Sequence, residues 1–147
     1  TGKRRVVIVV RQRKGRTLSF VAKQEAEGVD IVPKVVSPGS TVHADEASHW
    51  DALHGLYETH RINHSEAYLL NGICTNQAES YFARLRRMIS GQHHFVSARH
   101  LHAYAAHAAW MEDHRREPNG ALAKRAVSLA MSHPVSRTWK GRWQRTS

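Results

Sequence analysis

The run Val6-Val7-Ile8-Val9-Val10 is unbroken and almost wholly β-branched, the pattern of a strand covered on both faces. Residues 17–23, TLSFVAK, alternate apolar and polar, and Lys14-Gly15 lies between the two runs. Residues 4–23 are therefore predicted to form a β-hairpin. Residues 25–36 begin with acids and space Val29, Val32 and Val36 for a short helix that Pro33 weakens or breaks. Ser37-Pro38-Gly39-Ser40 is a turn, and TVHAD after it is a short strand ending at Asp45. Residues 46–60 place Trp50, Leu53 and Tyr57 on one helical face. RINHS reads as a short strand or a connector, and the stretch around Asn71-Gly72 as a loop.

The second half of the chain changes to a helical period. A long helix is predicted from Thr75 or Asn76, with Ala78, Phe82, Leu85 and Ile89 as its apolar stripe and Ser90-Gly91 as its stop. Ser97 is the expected N-cap of a second helix reaching Arg116. Glu117-Pro118-Asn119-Gly120 ends that helix, and a third runs from about Ala121 to Met131. The tail combines Trp139 and Trp143 with Arg137, Lys140, Arg142 and Arg145. It would stack on bases and bind phosphates, or dock on the body through its tryptophans. The order is α/β, with the sheet elements early and the helices late.

Composition adds a partner. The 147 residues suffice for one domain with a core, and the chain carries a net charge of +10. The basic residues sit at the ends: eight with no acid in the first 24 residues, and six with no acid after Glu117. That distribution points to a polyanion, most commonly nucleic acid. No apolar run approaches the roughly 18 residues of a membrane span, and no signal peptide is visible. The single cysteine, Cys74, excludes an internal disulfide framework and suits a reducing cytoplasm as a small, half-buried filler.

The candidate chemistry is carried by carboxylates. Asp45 ends a strand, where α/β sheets place their sites, and Glu79 lies 34 positions later, one turn into a basic helix. Hard oxygen ligands of this kind suit Mg²⁺ or Mn²⁺, which bind carboxylates and substrate phosphates together. Each acid also has a structural reading: Asp45 as a local cap, and Asn76 with Glu79 as a capping box. His100, His107 and His114 recur every seven residues, too far apart for one metal, and read as a polar helix face. His43 and His49 flank Asp45 and would line a site there. No HExxH, GxSxG, P-loop or GxGxxG pattern occurs.

Four blocks carry a family resemblance: Ala44-Asp45-Glu46, Ile62-Asn63-His64-Ser65, Thr75 to Tyr81, and Leu85-Arg86-Arg87. In this order they resemble a bacterial insertion-sequence transposase of the DDE type, ISXO-like, with an RNase H-like (integrase-type) catalytic domain. The resemblance covers roughly residues 4 to 116. It implies a mixed sheet flanked by helices in residues 1–116 and a basic helical extension in 117–147. It implies metal-dependent DNA cleavage and strand transfer at transposon ends, in a cytoplasmic, nucleoid-associated protein that can form homo-oligomers. Asp45 matches the second metal-binding aspartate. The third position falls at Asn76 or Glu79; a carboxylate is the better ligand for a hard cation, so Glu79 is favoured, with Asn76 assisting. Arg86 matches the basic residue that follows the acid and contacts DNA, and Arg84, Arg87, Lys140 and Arg142 are further candidates for the phosphate backbone. One departure stands out. No Asp or Glu precedes Glu25, so the family's first aspartate and its strand are missing. The expectation is a weak or inactive enzyme on its own, with the VVIVV strand left exposed or mispaired. The alternative is a non-catalytic basic DNA-binding or oligomerisation module.

Overall fold

The computed structural model describes residues 4–45, 47–62 and 76–135. It divides into two compact units, Thr1–Asp113 and His114–Ser147.

In the first unit, β1 (Val6–Arg11) and β2 (Thr17–Ala22) form an antiparallel hairpin with Ile8 opposite Phe20. The turn closes through Gly15 N–H donating to the Gln12 carbonyl at 3.0 Å. Its positive φ of 57° falls on Lys14, not on the glycine. The β-branched run is explained by its two coverings. Val7 and Val9 pack on a helical cluster of Tyr81, Leu85, Ala108 and Ala109. Val10 packs on a second cluster of Val32, Leu53 and Tyr57.

A 3₁₀ turn at Glu25–Glu27 leads into α1 (Gly28–Val35). α1 runs through Pro33 without a break. The proline costs it only the bond to the Val29 carbonyl, and the helix ends two residues later. Gly28 is required by close packing: a Cβ there would lie 2.4 Å from the Trp50 ring. The Ser37–Ser40 turn, with Gly39 at φ 80°, delivers β3 (Thr41–Asp45).

The helix expected over 46–60 is not formed as such. Residues Ser48–Gly55 form a 3₁₀ helix, and Glu58–Ile62 are β4, parallel to β3 with Asp45 opposite Ile62. Pairing with β3 overrides the helical period, while Trp50, Leu53 and Tyr57 still reach one cluster. The Tyr57 hydroxyl donates to the Val36 carbonyl at 2.9 Å, tying β4 to the end of α1.

Among the described residues the expected single mixed sheet is therefore present as two separate ladders, β1–β2 and β3–β4. No described strand joins β1 to β3.

The helix α2 (Asn76–Met88) starts as expected and continues through one π-helical turn, Ile89–His93, past the expected stop. Leu85 is buried as anticipated, but the fully buried centre of this helix is Tyr81. Its hydroxyl donates to the Ala105 carbonyl at 2.9 Å. Helix α3 (Leu101–His114) begins later than Ser97 implies, because residues 97–100 form a separate turn closed by His100 N–H to the Ser97 carbonyl at 3.0 Å. In the second unit, α4 (Asn119–Ser132) follows Pro118, and Arg125 pairs with Glu117 through two nitrogens.

Candidate functional site

Asp45 sits on the exposed last residue of β3, directly after buried Ala44. Its Oδ1 accepts two bonds, from Ala47 N–H at 3.1 Å and from Trp50 Nε1 at 2.8 Å. Its carbonyl accepts from Arg61 Nε at 3.3 Å, and Arg61 also pairs with Asp51. Asp45 therefore does not cap the following helix, whose N-cap is Ala47 without a side-chain bond; it holds the connecting turn and the Trp50 ring, through one oxygen. Oδ2 accepts no hydrogen bond among the described residues and is left for another ligand.

Asp45 lines a cavity of about 1000 Å³ that spans from β3 to β1 and α2. His43 and His49 line it too, as their spacing suggested. Burial lowers the His43 pKa below its usual 6.5, helped by the positive charge of Arg13 and by His60, against an opposing effect of Glu58. His43 lies 5.6 Å from the His60 ring, and its Nδ1 is buried without a hydrogen-bond partner. A neutral imidazole next to Asp45 is the form this surrounding favours.

From α2, the residues on this cavity are Gln77, Ala78, Phe82 and Arg86. Glu79 is exposed and follows Ala78 directly. A separation of seven residues returns nearly to the same helical direction, so Glu79 and Arg86 share one edge of α2. Asn76 is exposed on the first turn, about 60° round from Glu79. The arginines separate by role. Arg86 lines the cavity and Arg87 is exposed. Arg84 instead pairs with Glu112 of α3.

Glu112 is the group that pattern reading missed. It is only 3% exposed, yet it also pairs with Arg11 at 3.0 Å, as an ion pair without hydrogen-bond alignment. Arg11 Nε in turn donates to Gln77 Oε1 at 3.2 Å. This chain of contacts fixes the first turn of α2 against the end of β1. Next to it, Asp113 Oδ2 accepts from Thr17 N–H at 3.1 Å. The sequence Glu112-Asp113 inside a helix with histidines on its surface reads as solvated polar face. Only a tertiary contact distinguishes it.

The Asn63–Ser65 part of the second block, together with Thr75, Cys74, Lys140 and Arg142, lies outside the described residues. Among the described residues no three His, Cys, Asp or Glu side chains cluster as a metal cage. Mg²⁺ needs only one or two carboxylates alongside phosphate oxygens and water, so the exposed carboxylate of Asp45 is chemically compatible with such an ion.

A family model described as an ISXO2-like transposase domain matches residues 1–113. The chain belongs to the ISXO2-like transposase domain family. The match ends at the residue where the first compact unit ends. Transposase-domain membership makes DNA the implied partner and transposition the implied process. No curated protein and no solved structure gave a significant match. No helix among the described residues is long and apolar enough to cross a membrane.

Proposed function

We propose that this transposase domain has the RNase H-like architecture and takes part in DNA cleavage and strand transfer at the ends of an insertion sequence. Asp45 and Glu79 hold Mg²⁺ or Mn²⁺, and Asn76 assists. The observation that supports this reading is the cavity lined by Asp45 together with Ala78 and Arg86 of α2; Glu79 does not line it, but it follows Ala78 directly and shares the helix edge of Arg86.

When bound, the divalent ion supplies positive charge to the phosphodiester oxygens and sharpens the attacking hydroxyl. The chain's own residues do the rest. Trp50 Nε1 and Ala47 N–H orient the Asp45 carboxylate, leaving Oδ2 outward. Arg86 and Arg87 hold the phosphate backbone and fix its register, and Lys140 and Arg142 of the basic 117–147 extension are separate DNA contacts. Arg84, paired with Glu112, is half-buried and contributes to the backbone contact through its exposed part.

The test is a plasmid carrying the element's ends, incubated with the purified chain and Mn²⁺. Trace nicking at the ends that disappears in Asp45→Ala and Glu79→Ala supports the reading. Nicking that persists in both variants would overturn it. A second reading is favoured by the +10 charge: a non-catalytic basic DNA-binding module that acts in homo-oligomers. It predicts equal DNA affinity in EDTA and Mn²⁺, and no effect of Glu79→Ala on binding.

A further inference from the structure

The loop between α2 and α3 carries an exposed ring that the proposed site does not use. Phe95 is 79% exposed, the only aromatic among the exposed large apolar side chains of the described residues. A lone exposed aliphatic residue is ordinary. Phe95 differs because its backbone is held in place at a cost. The π-helical turn Ile89–His93 carries α2 past its expected end. The Phe95 N–H then donates to the His93 carbonyl, closing a three-residue turn centred on His94 at φ 53° and ψ −39°. A turn of this hand is rare and strained, and it persists only where its surroundings over-determine it. They do so here. Met88 and Ile89 pack on the core cluster of Tyr81, Leu85, Ala108 and Ala109. The His93 ring meets Tyr104 of α3 edge-on, with centroids 4.5 Å apart. The strained turn thus holds in water a large ring that hydrophobic burial alone would turn inward.

The charge around the ring indicates what covers it. No Asp or Glu occurs between Glu79 and Glu112. Within that span Arg86, Arg87 and Arg99 are exposed. A second copy of this chain would bring the same positive charge against itself, whereas a polyanion complements it. We propose that Phe95 is a stacking platform for an unpaired DNA base, with Arg99, four residues on, holding the backbone phosphate beside it. Every base has a π-face, so such a contact tolerates any sequence. A base inside a duplex already has both faces covered by its neighbours, so the ring selects a single strand over paired DNA. The inference deepens the proposed function, since it rests on DNA being the partner of this domain.

The experiment uses the full chain in EDTA, so that failure of the metal chemistry cannot affect it. The probes are a mixed-sequence single strand of about 16 nucleotides and the same sequence as a duplex with G·C-clamped ends. Fluorescence anisotropy gives the affinities, and the ring signals of labelled phenylalanine give the contact. Single-strand affinity is expected to fall at least roughly fivefold in both Phe95→Ala and Phe95→Leu, and to be kept in Phe95→Trp. Duplex affinity should change by less than about twofold in all three. The Phe95 ring signals should move upfield with the single strand alone. Arg99→Ala should weaken both DNAs and flatten their salt dependence. Wild-type single-strand affinity in Phe95→Ala would overturn the proposal, and so would wild-type affinity in Phe95→Leu, since then no ring is needed. An equal loss for the duplex would overturn the choice of an unpaired base. No effect of Arg99→Ala would overturn the phosphate contact. A wild-type dimer that Phe95→Ala dissolves would mean that a second copy covers the ring. Binding of neither DNA by the wild-type chain would instead overturn DNA as the partner, and the proposed function with it.

Discussion

Replacing Glu112 with alanine is the perturbation that best probes how the site is held. Its carboxylate is almost fully buried and faces two guanidinium groups, Arg11 and Arg84. Removing one partner of a buried pair leaves unpaired charge and costs about 3–5 kcal/mol. Arg84 is 42% exposed along its side chain and can rehydrate, which discounts its share. Arg11, at 12%, cannot do so easily. The expected loss is therefore about 2–3 kcal/mol, or about 10 °C in melting temperature for a domain of this size. Urea unfolding followed by circular dichroism measures it, with Glu112→Gln as a volume-matched control. A double-mutant cycle with Arg84→Ala should return a coupling of about 1 kcal/mol or more. A Glu112→Ala loss below about 1 kcal/mol would show that the first turn of α2 is not held by this contact chain.

Two further outcomes follow from local geometry. Gly28→Ala should destabilise by about 1–3 kcal/mol despite alanine's better helix propensity, because its Cβ pushes on the Trp50 ring that is hydrogen-bonded to Asp45. Thermal melts of Gly28→Ala alone and combined with Trp50→Phe check this, and the cost should shrink in the pair. The lowered His43 pKa means that the unfolded chain binds this proton more readily than the folded one. Its contribution is present above pH 6.5 and is lost as pH falls through and below that value, and His43→Gln should flatten that part of the stability profile measured by urea titration.

The local elements were legible where period and turn chemistry agreed. The hairpin around Lys14-Gly15, the strand ending at Asp45 and the start of α2 at Asn76 all lie where the pattern put them. The failures have a common cause, which is tertiary pairing. Residues 58–60 continue the helical reading of Trp50 and Leu53, but β3 recruits them, with Arg61-Ile62, as a strand. Tyr81 lies outside the expected stripe of Ala78, Phe82, Leu85 and Ile89 yet is fully buried, because the Ala105 carbonyl satisfies its hydroxyl inside. At the candidate site, the place of Asp45 at a strand end was readable, and it lines one cavity with His43 and His49. The Arg11–Glu112–Arg84 contact was not, since its members are about 70 to 100 residues apart or lie on separate helices.

The central claim is that Asp45 and Glu79 together hold a divalent cation. Mn²⁺ binding to the full chain, followed by electron paramagnetic resonance and titration calorimetry, tests it without requiring turnover. The account predicts binding by the wild-type chain that weakens by at least roughly tenfold in both Asp45→Asn and Glu79→Gln, with folding unchanged by circular dichroism. Wild-type affinity in both variants would contradict it.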